Sequence, residues 1–201
     1  VRPMPIDKLL SGHEIFKRVK FAAEREVFAR LAEEGQSPKV LWIGCSDSRV
    51  IPELITGADP GELFVVRNVA NVVPPDGTSG DTVGAVVEYA VLHLHVPHAV
   101  VCGHTHCGGI KALEGHVNMA REPHIARWLE LARPARTQID ASGVPEDARY
   151  LETIKANVLL QCKNLQTYRC VRDAVKAGEL TVHGWLYDLS SGDLLAYDGK
   201  S

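Results

Sequence analysis

Three short, uninterrupted runs of apolar and β-branched residues constrain the fold more than any other feature of this sequence. They occupy residues 39–44, 62–67 and 98–103. Runs of this length predict strands that are buried on both faces, as in a parallel sheet. Between the second and third runs the sequence predicts a crossover helix with one apolar face, formed by Val83, Val86, Val87, Ala90, Val91 and Leu94. The pattern therefore predicts a βαβ unit within an α/β fold.

The last third of the chain predicts a helix followed by a hairpin. Apolar residues recur with helical spacing from 151 to 165, and we expect this helix to end near Gly178, since glycine commonly ends helices. The β-rich segments 181–187 and 194–198 then flank a turn at residues 190–193. A turn of this length predicts an antiparallel pair of strands.

The whole chain has the length of one domain. It contains 201 residues, and no repeat or linker-like segment divides it. Residues 1–35 are rich in helix formers and predict an N-terminal helical arm, which leaves residues 36–201 as the α/β core. We therefore expect a central, mostly parallel β-sheet flanked by helices, with an antiparallel C-terminal edge strand and the helical arm.

Composition excludes several classes of function. A formal net charge of −3 provides no basic surface for nucleic acid or for an anionic membrane. No apolar run reaches the roughly 18 residues of a membrane span, and the first residues do not resemble a signal peptide. Five cysteines, an odd number, indicate reduced thiols rather than a disulfide framework. We expect a cytoplasmic protein, or an organellar one if an upstream targeting peptide has been removed.

Polar, thiol-bearing segments follow the first and third predicted strands. Cys45 ends the first strand, and His104 and Cys107 follow the third. Because functional groups collect at the carboxyl ends of parallel strands, we expect these side chains to meet. Two thiolates and one imidazole would leave the fourth position of a tetrahedral zinc ion open, as in catalytic sites. Sulfur and nitrogen ligands favour zinc over magnesium or calcium, although iron or cobalt would use similar ligands.

We weighed two other interpretations of these residues and set the second aside. Cys45 and Cys107 could be small buried apolar residues, as free cysteines often are. A structural zinc finger is the other, but it needs cysteine pairs close in sequence.

Asp47 and Arg49, two residues apart, are expected to form a charge pair. That carboxylate could orient the fourth zinc ligand or itself bind the zinc ion.

These motifs together resemble the β-class carbonic anhydrases. The resemblance begins with CSDSR at residues 45–49 and HTHCGG at 104–109. It extends to RNVAN at 67–71, EYA at 88–90 and VHGWLY at 182–187. It implies a zinc enzyme that reversibly hydrates carbon dioxide to bicarbonate and a proton, with one Zn²⁺ per chain and carbon dioxide or bicarbonate as its small-molecule substrate. It also implies a homodimer, with a tetramer as the larger assembly.

The same resemblance implies roles for individual residues. Cys45, His104 and Cys107 would be the zinc ligands, while the Asp47–Arg49 pair would act in catalysis. In the inactive state of allosteric members, Asp47 would leave Arg49 and become the fourth ligand. The substrate pocket would be lined by Gln36, Phe64, Val69 and Tyr89. A regulatory bicarbonate site would be formed by Trp42, Arg67 and Tyr187.

Three alternative functions follow from the same residues. Carbonyl sulfide or carbon disulfide could be hydrolysed by the same zinc chemistry. A catalytically silent zinc protein would keep Asp47 permanently on the metal, although Arg49 indicates a site that is built to open. A thiol redox protein is disfavoured because the sequence lacks a CxxC pair.

Overall fold

The computed structural model describes residues 6–78, 82–115 and 117–197. The chain divides into two compact units, Val1–Ser37 and Pro38–Ser201. In the described part of the chain, no helix combines the length and the apolar character needed to cross a membrane. Residue 198, which the sequence assigns to the last strand, lies outside the described ranges.

The N-terminal unit is helical. Helix α1 (Ile6–Phe16) continues into a π-helical turn at Lys17–Phe21, and α2 (Arg25–Glu34) follows. The rings of Phe16, Phe21 and Phe28 contact one another with centroids 4.9–6.3 Å apart. This aromatic cluster joins the two helices into one unit.

The second unit is built on a five-stranded sheet in the order β2–β1–β3–β4–β5. The strands are β1 (Val40–Cys45), β2 (Leu63–Asn68), β3 (His98–His104), β4 (Thr181–Tyr187) and β5 (Leu194–Ala196). The first four run parallel, whereas β5 pairs antiparallel with β4 at the edge. This architecture confirms the predicted fold class.

Helices surround the sheet and bury its apolar faces. They are α3 (Pro52–Thr56), α4 (Thr82–Glu88), α5 (Gly108–Lys111), α6 (Pro123–Glu130), α7 (Arg133–Asp140), α8 (Glu146–Leu165) and α9 (Arg169–Ala177). The predicted crossover helix is α4 and a following π-helical turn, Tyr89–His93. On one face of the sheet, Leu41, Ile43 and Val101 pack against Val87 of α4 and Leu165 of α8.

The predicted end of the long helix near Gly178 is wrong. Helix α8 ends at Leu165, and the separate helix α9 begins at Arg169. The break occurs because Tyr168 adopts an extended conformation (φ −68°, ψ 131°) that buries its ring. Its hydroxyl then donates to the carbonyl oxygen of Pro74 at 2.8 Å. Gly178 instead ends α9, with the left-handed conformation (φ 75°) that glycine adopts at little cost.

Candidate metal centre

Neighbouring parallel strands bring three ligand-type side chains together. Cys45 is the last residue of β1 and His104 the last of β3, and these strands pair in parallel with Gly44 opposite Cys102. Cys107 lies just before α5. The sulfur atoms of Cys45 and Cys107 are 4.0 Å apart, and a ring nitrogen of His104 completes a group whose atoms all lie within 4.8 Å of one another. All three residues are buried.

The donor set fits a zinc ion. A tetrahedral site with Zn–S bonds of about 2.3 Å places two sulfurs roughly 3.8 Å apart, close to the observed spacing. Nδ1 of His104 donates to the carbonyl oxygen of Thr105 at 2.8 Å, which leaves Nε2 with its lone pair. That Nε2 is buried and has no hydrogen-bond partner among the described residues. A buried, unpartnered acceptor beside two thiols is the arrangement a metal ion satisfies.

The two thiols are close enough to shift each other's pKa in opposite directions. The pKa of Cys45 is lowered, chiefly by its contact with the sulfur of Cys107, although burial opposes the shift. Smaller contributions that lower this pKa come from the side chain of His104 and from the backbone of Asp47 and Ala70. The same contact with Cys45, together with burial, raises the pKa of Cys107. A cation between the sulfurs would allow both to be thiolates.

Asp47 and Arg49 form the predicted charge pair beside these ligands. Nε of Arg49 lies 2.9 Å from Oδ1 of Asp47, and Nη2 lies 2.6 Å from Oδ2. Nη2 also donates to the carbonyl oxygen of His106 at 3.0 Å. Arg49 holds the pKa of Asp47 well below its usual range. Oδ2 of this carboxylate lies 3.9 Å from Nε2 of His104, which places it next to the open side of the ligand group.

Arg67 supports the segment that carries these residues. Its Nε donates to the carbonyl oxygen of Cys45 at 2.9 Å, and its Nη2 donates to that of Asp47 at 2.6 Å. The guanidinium of Arg67 therefore holds the backbone on which both the first ligand and the carboxylate are placed.

The predicted pocket residues separate into different surroundings. Val69 lines a cleft of about 540 Å³ together with Ser46, Asn68, His124, Ile125 and Trp128. Phe64 and Tyr89 are not among its lining residues; their rings stack on each other with centroids 5.7 Å apart. Gln36 belongs to the N-terminal unit. The structure thus places Val69 beside the ligand-bearing segment and pairs the two aromatic residues with each other.

The residues of the predicted bicarbonate site lie in two places. Trp42 packs on the face of the sheet opposite Leu41 and Ile43, whereas Arg67 and Tyr187 lie near the C-terminal ends of β2 and β4. Trp42 is fully buried and packs in one cluster with Trp185 and Tyr187. Tyr187 lies opposite His104 in the pairing of β3 with β4. The indole Nε1 of Trp42 is buried without a hydrogen-bond partner in the described ranges. The guanidinium of Arg67 donates hydrogen bonds to the carbonyl oxygens of Cys45 and Asp47.

Several residues that touch this site escaped the sequence analysis. The hydroxyl of Tyr150 donates to the carbonyl oxygen of Cys107 at 2.9 Å, and Nε1 of Trp128 donates to that of Val69 at 2.8 Å. Asn157 and Gln161 reach the turn after β2 from α8. The sequence does contain a signal for Asn157 and Gln161, because these two amide side chains stand among the apolar residues of one predicted helix.

Comparison with known proteins identifies the family. A model of the family described as carbonic anhydrase matches residues 40–194. A carbonic anhydrase of Pseudomonas aeruginosa is 43% identical over 194 residues, which cover 96% of this chain and 88% of that protein. A second, from Synechocystis, is 39% identical over 198 residues, covering 96% of this chain and 72% of that protein.

Solved structures agree with this assignment. The β-carbonic anhydrase CcaA superimposes with a TM-score of 0.91 and 37% identity, covering 96% of this chain and 88% of that chain. One of two tetrameric β-carbonic anhydrases of Sordaria macrospora gives a TM-score of 0.85 with 34% identity over 96% of each chain. With this fold, this ligand group and these relatives, the chain belongs to the β-class carbonic anhydrases, a family of lyases.

Proposed function

We propose that this protein catalyses the reversible hydration of carbon dioxide to bicarbonate and a proton, with one zinc ion held by Cys45, His104 and Cys107. The observation that carries the proposal is the buried Nε2 of His104, which has a free lone pair within 4.8 Å of two sulfurs. Family membership supplies the reaction, and the donor set supports the metal.

The residues of the chain then have separable tasks. Zinc in such a site acts as a Lewis acid that activates water as a nucleophile. Asp47, which Arg49 holds through both carboxylate oxygens, would accept a hydrogen bond from the reacting water and orient it. Val69 provides an apolar wall in the adjacent cleft, which suits a linear apolar substrate. Two thiolate ligands neutralise the metal charge, so we expect activity to rise towards alkaline pH.

The regulation proposed with this activity is a movement of Asp47. In the inactive state its carboxylate would leave Arg49 and would hold the zinc ion together with Cys45, His104 and Cys107. The 3.9 Å distance from Oδ2 to Nε2 of His104 supports this step, since a short movement reaches the open side of the site. Low pH favours this state, because water competes with the carboxylate less well than hydroxide does.

Bicarbonate is the proposed effector, bound by Trp42, Arg67 and Tyr187. The unpartnered Nε1 of Trp42 supports this assignment, because a buried donor without an acceptor favours an anion. Arg67 links the two sites, since it contacts the carbonyl groups of Cys45 and Asp47. An anion that recruits this guanidinium would release the backbone that carries Asp47.

We also propose that the chain assembles as a homodimer through its N-terminal arm. Helix α1 has no buried residue, and large apolar side chains stand exposed along it: Ile6 is 68% and Leu10 is 64% accessible. Exposed apolar stripes of this kind mark interaction surfaces. The tetrameric relatives from Sordaria macrospora are consistent with a larger assembly of such dimers.

The decisive experiment measures the initial rate of carbon dioxide hydration from about pH 6.5 to about pH 9 by protein of known zinc content, with and without bicarbonate. The Cys107→Ser variant should lose zinc and activity. Cys102→Ser is the matched control, because Cys102 is equally buried but lies outside the ligand group. Absence of activity in protein that holds one zinc per chain would refute the proposal and favour a sulfur-substrate hydrolase or a silent zinc protein.

A further inference from the structure

Two histidine side chains meet on the sheet away from the ligand group. His98 is the first residue of β3, and β3 pairs in parallel with β4 so that Val100 lies opposite His183. Residues two apart on a strand point to the same face, so His98 and His183 stand diagonally across one face of the two strands. Nε2 of His183 lies 3.2 Å from Nδ1 of His98. We call these two side chains the histidine pair.

The histidine pair lies far from the proposed zinc ligands. Strand β3 begins at His98 and ends at His104. At about 3.3 Å per residue, these two residues are roughly 20 Å apart. Cys45 and Cys107 gather around His104 at the carboxyl end of the sheet. The histidine pair is therefore a separate group at the other end of the strand.

The spacing of the two nitrogens suits one shared metal ion. Two imidazole nitrogens bound at about 2.0–2.1 Å to an ion of square or tetrahedral geometry lie roughly 2.9–3.4 Å apart. The observed 3.2 Å falls in this range, and it also allows one ring to donate a hydrogen bond to the other. A neutral imidazole can carry its proton on either nitrogen. Both facing nitrogens therefore present lone pairs once the outer nitrogens hold the protons.

The surroundings of the histidine pair keep it ready to bind a cation. Burial, and then the neighbouring His98, lower the pKa of His183. The neutral ring is the form that binds metals, and it dominates at neutral pH when the pKa lies below the ordinary value of about 6.5. His98 is exposed and His183 is half-buried, so an ion from solvent reaches both nitrogens. Water then completes its coordination.

We propose that His98 and His183 form a second metal site, which binds a late first-row divalent cation (Ni²⁺, Cu²⁺ or Zn²⁺) through Nδ1 of His98 and Nε2 of His183. These cations favour imidazole, whereas magnesium and calcium favour oxygen ligands. Two ligands hold an ion more weakly than the three of the proposed zinc site. The second site therefore fills when metal is in excess, and the chain then holds two ions.

A tryptophan beside the histidine pair reports on binding. The rings of His183 and Trp185 have centroids 6.4 Å apart, and Trp185 contacts Trp42 at 5.8 Å. A Ni²⁺ ion at this distance quenches indole fluorescence. The experiment titrates Ni²⁺ into the full chain, free of any affinity tag and already loaded with one zinc ion, and measures both metals after dialysis. We expect one Ni²⁺ per chain, an unchanged zinc content and quenched fluorescence.

Single substitutions of the two histidines decide the outcome. His98→Gln and His183→Gln each remove one ligand, so both should lose the bound Ni²⁺ and the quenching. His124→Gln, an exposed histidine on α6, is the matched control and should keep both. Absence of Ni²⁺ from the zinc-loaded wild type, binding that survives either substitution, or equal loss in the control overturns the proposal. If His183→Gln does not fold, His98→Gln, at an exposed position, decides alone. Neither readout uses carbon dioxide, so failure of the proposed activity is recognised separately.

Discussion

Arg49 holds both carboxylate oxygens of Asp47, with N···O distances of 2.9 and 2.6 Å. The pair lies beside the open side of the ligand group and keeps the carboxylate off it. Arg49 is itself anchored to the carbonyl oxygen of His106, one residue before Cys107. This contact joins the segments after β1 and β3 and holds Asp47 in the orientation that the proposed active state requires.

Replacing Arg49 with Gln should lower the rate of carbon dioxide hydration roughly 10–100-fold while zinc content stays near one per chain. The physical reason is that Asp47 loses its bidentate partner and becomes free to approach the metal. Initial rates and metal analysis check this. Arg169→Gln serves as control, since Arg169 is an exposed arginine that pairs with Asp173 on α9. An unchanged rate in Arg49→Gln would contradict the assigned role.

Trp42→Phe should reduce the inhibition by bicarbonate, because it removes the unpartnered indole N–H and keeps an aromatic ring in the core. The measurement is the ratio of rates with and without bicarbonate at about pH 7, where the carboxylate-bound state is expected to matter. Each variant is compared with itself, so a general loss of activity does not affect the result. An unaltered ratio would remove Trp42 from the proposed site.

Stability should depend on pH through His183. Burial, and then the neighbouring His98 at 3.2 Å, lower the pKa of His183. The folded state therefore binds fewer protons than the unfolded chain below the ordinary value of about 6.5, so stability is lost as the pH falls below that value. The urea midpoint should decrease less between about pH 7 and about pH 5 in His183→Gln than in the wild type. His124→Gln, an exposed histidine on α6, should keep the wild-type decrease.

Gly103 permits the close approach of α8 to β3. A Cβ at this position would lie 2.6 Å from Cγ2 of the buried Val158. Gly103→Ala should therefore lower the free energy of unfolding by about 1–3 kcal/mol, as overpacking does. Gly115→Ala should change it by less than about 0.5 kcal/mol, because no described atom beyond its neighbours lies within 4 Å of the added Cβ. Urea unfolding of both variants and of the wild type measures these changes in the free energy of unfolding.

The proposed assembly is tested in the full chain by Ile6→Glu combined with Leu10→Glu. Burying these two apolar side chains against a partner stabilises a dimer, whereas buried carboxylates oppose it. Light scattering should then give the mass of one chain instead of two. Lys8→Glu, on the same exposed helix, should leave the mass unchanged. A dimer that survives the double substitution would place the interface elsewhere.

Much of the fold followed from local patterns in the sequence. Uninterrupted β-branched runs predicted the parallel strands, and β1, β2 and β3 begin within one residue of the expected positions. The ligand group followed as well, because Cys45 and His104 end neighbouring strands and side chains at such ends must meet. Residue type and strand pairing together were sufficient to predict which side chains gather there.

Tertiary packing decided the supports of that group. Asn157 meets Ala70 across 87 residues of sequence, and Tyr150 meets Cys107 across 43. No periodicity encodes such contacts, since they depend on how α8 docks against the sheet. The sequence by itself therefore determined the strands and the chemistry at their ends, which are local properties. Only the folded structure decided which buried donors hold the ligands in place, because each of those hydrogen bonds joins segments that pack together without a shared local pattern.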